Sequence, residues 1–306
     1  MTISIDLRPL GSGNGRAILP GAGGTLDALS EREVLGLLAE AGYLLLRGFD
    51  ADLNAFNAFV RRLSSLVVSD PAREFFGEGQ VAQKVDAGHA ALGLHLENGN
   101  SPFMPDLTWF FCQQAAKSGS QTTVCDGYRI WDELGESSRA AWTAQDIVYS
   151  RTVPKRAWQG LGAHLLGGAK RAEDVTLEDL VPLIPEPDRT QFRPNADESV
   201  YYAYQAPAVR PSTLFGTRPA WANSIFGPSF NYEQPRIVFA DGTEIPDALM
   251  AEAKAVSDAV TEDIDWQDGD VALIDNTRVM HGRRAITDPE RTIFNAQSYV
   301  NRAHLG

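Results

Sequence analysis

The chain has 306 residues, 43% of them hydrophobic, and a formal net charge of -13. That is ample apolar material for a large core, and an acidic surface repels phosphate backbones, which argues against a nucleic-acid partner. Two cysteines, Cys112 and Cys125, are too few for a disulfide framework or a thiolate metal site and read as buried thiols in a reducing compartment.

The first seven residues lack a basic region followed by an apolar run, and no stretch approaches the roughly 18 apolar residues of a membrane span. The expectation is a cytoplasmic protein without membrane contact. Residues 11–15 and 20–24 are glycine-rich, but their spacing is wrong for a phosphate loop and no Lys-Ser/Thr follows, so they read as a flexible entry loop. Ser30 with Glu33 forms a capping-box pattern. Val34, Leu35, Leu37 and Leu38 then recur at helical spacing until Ala41-Gly42 stops the helix. Residues 43–49 read as a buried strand, and residues 53–66 as an amphipathic helix ridged by Phe56, Phe59, Val60 and Leu63. A strand over residues 81–86 precedes Leu94-His95-Leu96-Glu97.

Apolar β runs follow at residues 107–115 and 122–130, then helical sequence at 131–134 and 136–144, and a strand at 147–153. Residues 154–219 fit no clean period and are rich in Pro, Gly and charge. A segment of that length in a compact domain reads as a substrate lid, carrying a short helix at 176–181 and an aromatic strand at 200–204. Residues 220–226 read as a strand near the pocket and 246–261 as a helix. A turn at 266–270 opens the buried run Val271-Ala272-Leu273-Ile274, which places His281 just past a strand end, where functional side chains are commonly presented. Arg291 opens the last strand, 292–300. With no repeat or linker, residues 1–306 read as a single domain.

The chemistry centres on His-x-Glu. In an extended chain residues two apart share a face, so His95 and Glu97 can reach one point in space. A further His brought in by the fold, His281, completes a two-His, one-carboxylate set with open coordination positions, the set tied to non-haem Fe(II) oxygenases. Taken singly each has a plainer account: a core histidine, a solvated charge, a loop histidine. Arg291 offers a planar fork suited to a carboxylate, or else an exposed cation capping a strand. Arg283 and Arg284 lie close behind His281, and Arg283 reads as a structural ion pair with Asp275.

In this order the segments resemble the taurine-dioxygenase-like family of Fe(II)/2-oxoglutarate-dependent oxygenases, over about residues 42–300. Gly119-Ser120-Gln121-Thr122 is similar to the family's Gly-Gly-x-Thr segment, with Ser120 replacing the second glycine. Glu97, rather than Asp, resembles the clavaminate synthase and amino-acid β-hydroxylase branches. The resemblance implies a mainly β fold with flanking helices around a double-stranded β-helix (jelly-roll) core. It implies Fe(II) on His95, Glu97 and His281, 2-oxoglutarate as cosubstrate with its far carboxylate on Arg291 and Thr122, and O2 as oxidant. Thr123 competes with Thr122, since alternation turns only one inward.

The implied reaction converts 2-oxoglutarate to succinate and CO2 while hydroxylating an unactivated C–H bond of a small molecule, an amino acid or natural-product intermediate by analogy. Desaturation or ring formation uses the same chemistry, and the retained carboxylate disfavours halogenation. Asn98, Asn100 and Phe103, with Tyr202, Arg210 and Asn223 from the lid and its neighbouring strand, are candidate substrate contacts. A silent metabolite-binding barrel and a Zn-dependent hydrolase are the rival classes, separable by metal analysis and 2-oxoglutarate titration. Substrate identity and oligomeric state are not legible.

Overall fold

Side-chain alternation along strands gives one sheet two packing surfaces. In the computed structural model, which describes residues 4–68, 73–85, 88–228 and 233–305, strand Val271–Asp275 pairs antiparallel with Tyr43–Leu46 on one side and Leu107–Gln114 on the other. Leu107–Gln114 pairs in turn with Thr292–Val300. Leu44, Leu46, Trp109, Phe111, Val271, Leu273 and Phe294 point one way. They pack under helices Glu31–Ala41 and Leu53–Leu63, which contribute Val34, Leu35 and Leu38, and Phe56, Phe59, Val60 and Leu63. Each such side chain, fully buried, stabilises the fold by roughly 1.5–3 kcal/mol.

The alternate residues, Leu45, Phe110, Cys112, Ala272, Ile274 and Ile293, face inward and meet Val124, Ile264 and Val279 of a second sheet. That sheet runs Glu262–Ile264, Thr122–Asp126, Val279–Arg283, Leu92–His95. Two facing sheets with helices outside the larger one form a double-stranded β-helix core with flanking helices. A further sheet, Thr190–Pro194, Val200–Ala206, Ile147–Val153, Arg236–Phe239, packs with helices Gly127–Glu133 and Asp247–Val260 around a separate apolar cluster. Among the described residues no helix is long and apolar enough to cross a membrane.

The structure departs from the sequence expectations in several places. The entry segment is not a loose loop: Ile5–Pro9 and Arg16–Pro20 form a hairpin, and Glu262 accepts the N–H groups of Ser12 and Gly13 in its glycine-rich turn at 2.6 and 2.7 Å. The second helix stops at Leu63 because Ser64–Val68 is drawn into pairing with Thr292–Val300. The strand expected over 81–86 is Ala82–Lys84; Asp86 lies outside the described residues. The β run from Thr122 ends at Asp126, whose carboxylate caps helix Gly127–Glu133.

Residues 154–219 are more ordered than their composition suggests. They hold helix Lys155–Leu165, the short helix Leu177–Leu180 and strands Thr190–Pro194 and Val200–Ala206. Gly160 and Gly162 obscured the first helix; a Cβ on Gly162 would sit 2.6 Å from Val175, so that glycine serves helix packing. Of the strand expected over 220–226 only Ala220–Trp221 forms.

Candidate metal centre

His95 ends strand Leu92–His95, and His281 lies in the middle of Val279–Arg283; the two are direct cross-strand partners. His281 is therefore inside a strand rather than past its end. Glu97 is not on the His95 strand either. The chain leaves the sheet at Leu96, which is buried in the apolar core, and Glu97 begins a turn. That turn is held by Asn276, which accepts the Glu97 N–H at 2.8 Å and donates to the carbonyls of Glu97 and Pro105 at 3.1 and 2.9 Å.

The imidazole centroids of His95 and His281 are 4.4 Å apart, and Phe110 stands edge-on to His281 at 5.2 Å. Donor atoms of His95, Glu97 and His281 all lie within 4.8 Å of one another, with His281 Nε2 3.3 Å from Glu97 Oε1. Donors bound about 2.1 Å from a common ion stand roughly 3–4 Å apart, so a small contraction closes the set. His95 Nδ1 pairs with the Gly93 carbonyl at 2.8 Å. A carbonyl only accepts, so Nδ1 carries the proton and Nε2 keeps the lone pair.

Protonation states suit a cation. Burial, with the nearby charge of His281, pushes His95 down to about 4, so it is neutral near pH 7. Burial alone would raise the Glu97 carboxyl; the hydrogen bond and positive charge of a protonated His281, then His95 and Arg73, outweigh it and hold the group at about 2, and a bound cation would displace that His281 proton and take its place beside the carboxylate. His281 Nδ1 is buried with no partner among the described residues. Two imidazoles and one ionised carboxylate converging in this way fit a divalent metal ion.

The three residues line a cavity of about 480 Å3, together with Thr122, Arg291, Arg73, Arg283, Phe226, Gln234 and Asn295. That volume accommodates a small ligand and a second molecule beside it. Thr122 faces the cavity and its hydroxyl accepts from Trp266 Nε1 at 3.1 Å; Thr123 is turned away, beside Gly282. Arg291 is half-buried, and among the described residues its guanidinium makes one hydrogen bond, a long 3.4 Å contact to the Val85 carbonyl. Burial, with repulsion from Arg283, pushes its pKa down to about 10, still charged at neutral pH. Arg283 donates to the carbonyls of Gly88 and Ala90 and does not pair with Asp275 as expected; Asp275 instead accepts from Thr277.

None of the six expected substrate contacts lines this cavity. Asn98 donates to Gln297 Oε1 and the Phe103 carbonyl, and Phe103 packs on the apolar cluster beneath the turn. Asn100 is buried. Tyr202 meets Phe192 at a tilt of 47° within the third sheet. Arg210 reaches Met104 Sδ at 2.9 Å. Asn223 closes a local turn, bonded to Ala208 and Ile225. Sequence reasoning passed over Asn276, although it lies in the stretch leading to His281. It also passed over Gln297, which alternation along the final strand would have placed on the Asn295 face.

The fold and centre together define a double-stranded β-helix oxygenase dependent on Fe(II) and 2-oxoglutarate, with O2 as cosubstrate. The Taurine catabolism dioxygenase TauD, TfdA family matches residues 7–297, and the chain belongs to that family. Among its relatives is the dapdiamide synthesis protein DdaC of Enterobacter agglomerans, 24% identical over 93% of this chain and 92% of that protein. Similar solved structures include a taurine dioxygenase from Burkholderia xenovorans, with TM-score 0.62 and 13% identity over 97% of this chain and 90% of that one. PvcB of Pseudomonas aeruginosa has TM-score 0.60 and 15% identity, over 97% and 91%.

Proposed function

We propose that the protein hydroxylates an unactivated C–H bond of a small molecule, an amino acid or natural-product intermediate, with His95, Glu97 and His281 holding iron. The observation that carries this reading is the meeting of those three side chains, from distant parts of the sequence, in one cavity that also contains Arg291 and Thr122. Bound iron and 2-oxoglutarate supply the oxidising chemistry. The chain supplies the rest. Arg291 pairs with the far carboxylate of 2-oxoglutarate, and the Thr122 hydroxyl, already fixed by Trp266, donates its own proton to the same group. Phe110 and Ile293 wall the cavity and keep water from the reacting centre.

The amino-acid and natural-product reading is supported by relatives: DdaC acts in dapdiamide synthesis, and PvcB is described as an oxygenase of an isonitrile synthetic pathway. Residues 154–219, the expected lid, form a structured insert between the two ligand-bearing halves and contribute no residue to the cavity lining, which on that side comes from Phe226, Gly227, Pro228 and Gln234. The test is succinate release from 2-oxoglutarate by anaerobically loaded protein across amino acids and their derivatives. Expected is Fe(II)-dependent release stimulated by one substrate group, with a product one oxygen atom heavier. A product lighter by two hydrogens assigns desaturation or ring formation instead. Full iron occupancy without stimulated release across the panel overturns the catalytic reading.

A further inference from the structure

A glutamate ligand raises a problem that an aspartate poses less. Its longer side chain swings more freely and can chelate an ion through both oxygens. A six-coordinate ion with three protein donors keeps three positions, two for the chelating keto acid and one for dioxygen. A bidentate glutamate removes one of them.

Glu97 Oε2 is not free to swing. It accepts a hydrogen bond from Gln297 Nε2 at 2.9 Å, while Oε1 is the oxygen turned to His281 Nε2. The direction of the Gln297 amide is itself set. Its Oε1 accepts from Asn98 Nδ2 at 3.2 Å, and the same Asn98 nitrogen donates to the Phe103 carbonyl at 3.3 Å. A backbone carbonyl can only accept, so it fixes Asn98, which fixes Gln297, which presents an N–H to Glu97. Asn98 sits at φ +52, a left-handed conformation that Asn and Asp tolerate best among residues with a side chain.

We infer that Gln297 is a positioning residue that keeps Glu97 a one-oxygen ligand, with Asn98 and the Phe103 carbonyl setting the polarity of the relay. The inference rests on the metal reading above. Its consequence is specific: breaking the relay leaves metal binding intact and weakens the keto acid, because the released Oε2 competes for the same position.

Two variants test it. Gln297→Leu removes the donor. Asn98→Asp keeps the left-handed turn but replaces the donor with an acceptor, which turns the Gln297 amide and points its oxygen at Glu97. Metal-loaded proteins are titrated anaerobically, first with Co(II) by visible absorption and then, as Fe(II) forms, with 2-oxoglutarate by its charge-transfer band. Expected are Co(II) affinities close to wild type, because the released second glutamate oxygen adds a donor that offsets the lost support, and 2-oxoglutarate affinities at least about tenfold weaker, with an altered Co(II) spectrum. Wild-type 2-oxoglutarate affinity in a folded Asn98→Asp protein overturns the inference even if Gln297→Leu fails to fold. Wild-type protein that binds neither Co(II) nor Fe(II) overturns the metal reading, and the relay with it.

Discussion

The Asn276 side chain bridges the backbone of Glu97, accepting its N–H and donating to its carbonyl across a separation of 179 residues. A proposed ligand in a turn is thereby held as firmly as one in a strand. In Asn276→Ala three hydrogen bonds vanish and buried backbone groups lose their partners. The expected cost is about 3 kcal/mol of stability and a 10–100-fold loss of metal affinity, read by urea denaturation and Co(II) titration. Metal affinity unchanged in a destabilised variant would confine Asn276 to the fold.

Gly93 carries two duties. Its carbonyl fixes the His95 ring, and its bare Cα lets the Phe226 carbonyl approach so closely that any Cβ would overlap it. Gly93→Ala must push the His95 strand outward. A loss of about 1–3 kcal/mol from overpacking should accompany about tenfold weaker metal binding. A lowered melting temperature with wild-type metal affinity would leave only the packing role.

Among the described residues no carboxylate pairs with Arg291, so its fork is available for an incoming one. Lysine keeps the charge but loses the paired geometry. Arg291→Lys is expected to raise the KM for 2-oxoglutarate about tenfold or more, with little change in kcat at saturation. An unchanged KM would move the clamp elsewhere in the cavity.

Asp275 is wholly buried; Oδ1 accepts from Thr277, and Oδ2 has no partner among the described residues. Burial pushes its pKa from the ordinary 3.8 up to about 6. The folded state thus keeps a proton over a range where the unfolded chain has lost it. Its contribution to stability is full below about pH 4 and is lost as pH rises through about 6, on the order of 3 kcal/mol in all. Wild type should lose stability relative to Asp275→Asn over that window and then run parallel to it. A difference constant across the window would contradict the shift.

What the sequence disclosed and what it withheld have physical causes. The Ser30 cap and the apolar rhythm of Val34, Leu35 and Leu38 are local, and helix Glu31–Ala41 appears where they put it. The run Val271-Ala272-Leu273-Ile274 is buried on both faces, which makes a strand visible as a continuous apolar string. The Ser64–Val68 strand was hidden because only its partner, Thr292–Val300, makes it one. Likewise Asn98 and Asn223 look like binding groups in one dimension. Only the folded chain shows that their amides are consumed by Gln297, Phe103, Ala208 and Ile225.

The pairing of His95 with His281 across two adjacent strands also bears on biosynthesis. Contacts between distant parts of a chain form late, because loop closure must precede them. A ribosome delivers the first histidine and the glutamate long before strand Val279–Arg283, and Gln297 arrives last of all. Until strand Val279–Arg283 has been made and has docked beside Leu92–His95, the nascent polypeptide holds only two of the three proposed ligands, so in that reading iron loads after those two strands have paired.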